Sequence, residues 1–151
     1  MSDMSVFRVL QIEDNEGDVL ALRRSLKRAG ADAEVMAVAH AEQALEILAE
    51  APPSHFGLIL VDINLPGMSG LDLLKALKTE SYLAEVPLFV LSSSLRDGDV
   101  ELAYAQGADG FLAKPGDADG YAGLACFLVD IWNGSGAATY DGLRVPGQHT
   151  L

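Results

Sequence analysis

The chain has 151 residues, half of them hydrophobic, which suits one domain with a substantial core. Its 22 Asp and Glu outnumber 10 Lys and Arg, giving a net charge of −12 at pH 7, a field that repels nucleic acid phosphate and anionic membrane and favours a cation or a basic partner. The single cysteine, Cys126, excludes an internal disulfide, no apolar run reaches membrane-span length, and the polar start Met1-Ser2-Asp3-Met4-Ser5 lacks the apolar segment of a signal peptide, so a cytoplasmic location is expected.

Short apolar runs alternate with helical periodicity along the chain. Phe7–Ile12 reads as a strand, and 16–29 as a helix with Val19, Leu22 and Leu26 on one face and Gly30 as its stop. A weaker strand over 34–39 precedes a helix over Ala41–Glu50, which Ala51-Pro52-Pro53 ends. The run Gly57-Leu58-Ile59-Leu60-Val61 is a third strand, apolar throughout as in a sheet covered on both faces. It runs into Asp62, and Ile63–Gly70 leads to a helix over 71–77. A fourth strand is expected over 87–91, a helix over 99–105 stopping at Gly107, a short fifth strand over Gly110–Ala113 and a last helix over Ala118–Trp132. Five successive βα units imply a parallel sheet with helices on both faces and right-handed crossovers. Residues 1–133 form one domain on this reading, and 134–151, rich in Gly and Thr, is an extension without its own core, ordered only by docking.

In a parallel sheet the strand exits lie on one edge, the edge where α/β folds place ligands. Four exits here carry polar residues: Glu13 and Asp14; Asp62; Ser92, Ser93 and Ser94; and Lys114 before Pro115. Each alone has an ordinary explanation, since an Asp after a strand forms turns, a serine triplet is commonly loop, and Lys-Pro is commonly a turn. Together they would bring three carboxylates close enough to repel, a conflict that a hard divalent cation resolves. Mg²⁺ takes few carboxylates and keeps waters and phosphoryl oxygen. Lys114 adds a point cation and Ser92 a hydrogen-bond donor around Asp62, the candidate nucleophile of a phosphoryl transfer.

This set resembles the receiver domain of two-component response regulators. The matching pieces are Glu13-Asp14, Asp62 within Leu60–Gly70, Ser92 and Lys114-Pro115, with separations of 48, 30 and 22 residues between Asp14, Asp62, Ser92 and Lys114. The resemblance implies a flavodoxin-like, doubly wound five-stranded parallel sheet of order 2-1-3-4-5. It implies Asp62 as phosphoacceptor from a sensor histidine kinase, and a Mg²⁺ ion held by Glu13, Asp14, Asp62 and the Asn64 main-chain carbonyl. Lys114 and Ser92 would contact the phosphoryl group, Phe111 would occupy the aromatic switch position, and the Lys114–Pro115 bond would be cis. The stretch Glu13-Asp14-Asn15-Glu16-Gly17-Asp18-Val19, with Tyr104 and Trp132, is similar to the single-domain receivers paired with bacterial phytochrome kinases, which implies a light-regulated donor and a homodimer.

The last helix gives the dimer separate support. Leu124, Phe127, Leu128 and Ile131 suffice for a sheet-facing stripe, so Cys126, Val129 and Trp132 face elsewhere and need a cover. A partner subunit on the fourth helix, fifth strand and fifth helix is the favoured cover, and the 134–151 tail the alternative. His40, His55 and His149 sit apart, without ligand spacing, and read as surface residues. The protein is expected to be no enzyme beyond self-catalysed phosphoryl transfer and autodephosphorylation, acting by binding a partner or relaying phosphoryl to a histidine phosphotransfer protein. Two other functions use similar residues. A haloacid-dehalogenase-type phosphohydrolase would want an Asp two residues after the nucleophile, where Asn64 stands. A pseudo-receiver that binds partners without phosphorylation would not need the acidic pair, Asp62 and Lys114.

Overall fold

The computed structural model describes residues 6–52, 55–80, 83–93 and 96–147; Ser94, His149 and the end of the extension lie outside the described residues. The elements in chain order are β1 (Phe7–Ile12), α1 (Glu16–Arg28), β2 (Ala33–Val38), α2 (Ala41–Glu50), β3 (Leu58–Val61), α3 (Gly70–Lys78), β4 (Leu88–Ser92), α4 (Asp97–Ala105), β5 (Gly110–Ala113), α5 (Ala118–Trp132) and β6 (Leu143–Arg144). The sheet runs β2-β1-β3-β4-β5-β6, with β1 to β5 parallel and β6 antiparallel to β5. The order 2-1-3-4-5 is therefore as expected, and the strand count is six instead of five.

Alternation along each strand divides the core into two layers, because successive side chains leave opposite faces. Leu10, Ile12, Ile59, Val61, Val90 and Phe111 meet Ala44, Leu48, Leu73, Leu77 and Ala103 on the α2–α3–α4 side. Val9, Leu58, Leu60, Leu91 and Leu112 meet Leu22, Leu26, Leu124 and Leu128 on the α1–α5 side. All residues of β3 and β4 are buried, whereas the edge strand β2 is only half covered. Among the described residues no helix is long and apolar enough to cross a membrane.

The cover expected for the last helix changes. Trp132 does not wait for a partner: its ring stacks on Phe7 with centroids 5.0 Å apart and planes 16° apart, beside Gly57, where any Cβ would collide with the indole. Val129 and Ile131 also pack against the α1–α5 layer, and of the three residues thought to need a cover only Cys126 stays exposed. The tail docks as well. Leu143 and Arg144 pair with Leu112 and Phe111, the Tyr140 hydroxyl donates to the Ala113 carbonyl at 2.6 Å, and the Tyr140 ring lies against Phe127. This closes the outer edge of β5 with two residues, an economical guard against stray strand pairing. Replacing Tyr140 by Ala removes a half-buried ring and a hydrogen bond, and should lower stability by about 1–3 kcal/mol. Urea unfolding and limited proteolysis within 134–147 check this; wild-type resistance in both would show that Tyr140 does not anchor the tail.

Candidate functional site

The four polar strand exits meet on one edge, as parallel pairing requires. Asp62 follows β3 directly, and its backbone N–H donates to the Ile12 carbonyl at the end of β1, which sets it beside Glu13. Asp62 and Glu13 are buried while Asp14 is exposed. The Asp62 carboxylate folds back on its own loop: Oδ1 accepts from the Asn64 N–H at 2.9 Å. That loop passes so close to the start of α3 that a Cβ on Gly70 would fall against the Asp62 carbonyl oxygen and the Ile63 Cα, so only glycine fits there. Ser69 caps α3 by accepting from the Asp72 N–H, fixing where the loop ends.

Lys114 reaches the same place from β5. Its N–H donates to the carbonyl of Ser92, which is fully buried at the end of β4. The ammonium touches three carboxylates: Glu13 Oε1 at 2.7 Å, Asp18 Oδ2 at 2.9 Å and Asp62 Oδ2 at 3.0 Å. The expected cis bond to Pro115 is absent, every peptide bond among the described residues being trans. The trans isomer is the lower by about 0.5–1 kcal/mol for X–Pro bonds, and three carboxylates aim the ammonium from that backbone.

Burial pushes the Glu13 carboxyl up to about 7, and the Asp62 charge adds to this, against the bonds from Lys114 and the Asn15 N–H. For Lys114 burial acts the other way, but the bonds to Asp18, Glu13 and Asp62 outweigh it and hold the ammonium above the ordinary lysine range. The site thus keeps a fixed cation within a surplus of carboxylates. One oxygen from each of Glu13, Asp14 and Asp62 lies within 4.8 Å of the other two. Three carboxylate oxygens grouped on one sheet edge are the hard donors that a Mg²⁺ ion takes.

Phe111 is fully buried on the α2–α4 side, a core position of a short strand. Its backbone N–H donates to the Tyr104 hydroxyl at 3.3 Å, and that hydroxyl donates to the Arg144 carbonyl at 2.7 Å, joining α4, β5 and the tail. Ser93 and His40 are exposed, and His55 lies edge-on to Phe56 away from the site. Sequence reasoning gave Asp18 no role beyond its place in a motif and gave Tyr121 none. Asp18 looks like an ordinary acidic residue in a first helical turn, where Asn15 caps its N–H. Only the fold shows that its carboxylate turns to Lys114 and to the Tyr121 hydroxyl on α5.

Residues 9–121 match the family model of the response regulator receiver domain. A curated relative, the sensory/regulatory protein RpfC of Xanthomonas campestris pv. campestris, is 36% identical over 110 residues, 72% of this chain but 14% of the relative. The chain therefore aligns with a small part of that longer protein. Among solved structures, the phosphorylated cyanobacterial phytochrome response regulator RcpA superposes with a TM-score of 0.77 at 24% identity, covering 89% of this chain and 98% of that one. The Mn²⁺-bound response regulator Rcp1 gives 0.74 at 23% identity, with 89% and 98% covered. At such identities the two structures show the fold, and the family model shows the kinship: this chain belongs to the response regulator receiver domain family and is a module of phosphorelay signalling.

Proposed function

We propose that Asp62 is the phosphoacceptor and that the chain takes a phosphoryl group from the histidine of a sensor kinase. The observation that carries this is the Lys114 ammonium, 3.0 Å from the buried Asp62 carboxylate beside the Glu13–Asp14 pair. An Asp62 carboxylate oxygen attacks phosphorus, the P–N bond to the kinase imidazole breaks, and its electron pair returns to the ring nitrogen. Glu13, Asp14, Asp62 and the Asn64 carbonyl are the residues to hold Mg²⁺, which when bound neutralises charge on the phosphoryl oxygens. Lys114 holds one phosphoryl oxygen, and the Ser92 hydroxyl donates to another.

Receiver domains are signalling modules, and no acid stands two residues after Asp62: the position is Asn64, whose N–H is already bonded to the carboxylate. Autodephosphorylation is the only turnover we assign. The donor is read as a phytochrome-type kinase, on the Glu13–Val19 motif and the likeness to RcpA. A cytoplasmic setting, onward transfer to a histidine phosphotransfer protein and transmission through Phe111 belong to the same reading. A homodimer on α4, β5 and α5 would have to form over the docked tail, because β6 already occupies the edge of β5.

The test is incubation with acetyl phosphate and Mg²⁺, followed by intact-protein mass spectrometry and size-exclusion chromatography. One phosphoryl mass should appear, and chelation of Mg²⁺ with EDTA should abolish it. A wild-type chain that gains none, or turns over p-nitrophenyl phosphate continuously, overturns the proposal.

A further inference from the structure

Three acceptors share the three N–H bonds of Lys114, and two of them are committed to other work on the reading above. A lysine ammonium has three donors and no acceptor. In this structure they meet Glu13, Asp18 and Asp62. Glu13 belongs to the carboxylate trio that fits a divalent cation, and Asp62 is the residue to be phosphorylated. When those two carboxylates turn to their ligands, Lys114 keeps one fixed partner, Asp18.

Asp18 is itself held on three sides. Its Oδ1 accepts from the Tyr121 hydroxyl at 2.9 Å, its Oδ2 faces Lys114, and its backbone N–H is capped by Asn15 Oδ1 at 3.0 Å. Tyr121 is buried in the first turn of α5. Burial and the bond to Asp18 push its hydroxyl well above the usual tyrosine range, so it stays a donor. The pair also bridges α1 and α5, the two helices covering that face of the sheet beside the site.

We propose that Asp18 and Tyr121 are positioning residues that keep the Lys114 ammonium aimed at the phosphoryl position once Glu13 and Asp62 no longer restrain it. Asp18 supplies the anchoring charge, and Tyr121 fixes the orientation of that carboxylate. Neither touches the reacting atoms, so both act through Lys114. This deepens the phosphoacceptor reading and rests on it.

The experiment compares labelling rates with acetyl phosphate at saturating Mg²⁺ in two backgrounds, wild type and Lys114→Met. Loss of an outer positioning partner typically lowers such a rate about 10–100-fold, and that is expected for Asp18→Asn in the wild-type background. Tyr121→Phe should slow it less, and adding Tyr121→Phe to Asp18→Asn should bring little further loss, because the two share one path. Asp18→Glu, which keeps the charge, should recover part of the rate. In the Lys114→Met background Asp18→Asn should change nothing. An independent readout on the unphosphorylated protein is the NMR signal of the Lys114 ammonium protons, whose solvent exchange should quicken in Asp18→Asn. Wild-type labelling in Asp18→Asn, or an equal loss in both backgrounds, overturns the positioning role. Failure of wild type itself to gain a phosphoryl mass overturns the underlying reading instead, so the two failures are told apart.

Discussion

Asp62→Asn should reduce phosphoryl uptake from acetyl phosphate to background while leaving the fold intact. The amide has nearly the shape of the carboxylate but no nucleophilic oxygen anion, so the chemical step is lost outright. Stability should move by no more than about 1 kcal/mol, because two effects oppose. The Asn side chain has one acceptor oxygen where Asp62 serves two donors, the Asn64 N–H and Lys114, so one hydrogen bond is lost. Against that, a carboxylate leaves a cluster in which Glu13, Asp18 and Asp62 share one ammonium and Asp14 lies beside Glu13 and Asp62, and their mutual repulsion falls. Mass spectrometry and urea unfolding on the same preparation separate the terms. Phosphoryl gain equal to wild type would place the acceptor elsewhere, and a loss of several kcal/mol would mean that the carboxylate is chiefly structural.

The strands were legible because this sheet is covered on both faces. Gly57–Val61 and 87–91 are continuous apolar runs, and burial on both sides leaves polar residues only at their exits, where they stand out. Convergence of Asp14, Asp62, Ser92 and Lys114 then followed from parallel topology without any knowledge of side-chain packing. Helix boundaries slipped where propensity and packing disagree. The helix α4 starts at Asp97, earlier than Gly98 encourages, and α3 starts on Gly70 because Ser69 caps it and no larger residue fits against Asp62. The strand β6 was not legible at all. Two residues carry no periodicity, and what places them is tertiary: the open edge of β5 and the anchors Tyr140 and Tyr104. Trp132 was misjudged for the opposite reason. A helical projection puts it off the core stripe, but Gly57 leaves a gap that lets the indole lie on Phe7. Asp18 was hidden by a sufficient local explanation. Capping and helix-dipole chemistry account for an acid in a first turn, and nothing in the sequence says that its carboxylate turns inward.

Lys114→Met should separate the two roles of the lysine, since methionine keeps most of the volume and removes the charge with its N–H donors. In EDTA, Glu13, Asp18 and Asp62 then face one another without a cation, with the Glu13 and Asp62 side chains only 2% and 7% exposed. Removing one partner from buried pairs of this kind costs about 3–5 kcal/mol, because the remaining charge is left unpaired. A divalent cation can take over the neutralising role through Glu13, Asp14 and Asp62, and occupancy at a hundred times Kd adds about 2.7 kcal/mol to the folded state. Urea unfolding should therefore show a large deficit in EDTA that shrinks on adding Mg²⁺, and a larger response to Mg²⁺ than in wild type, where Lys114 competes with the ion for two of the same carboxylates. Phosphoryl uptake should not recover with the stability. The missing ammonium no longer offsets charge developing on the transferring group, and loss of one such donor lowers a rate by about 10²–10³-fold. Stability in EDTA equal to wild type, or full recovery of labelling with Mg²⁺, would show that Lys114 neither balances the carboxylates nor serves the phosphoryl group.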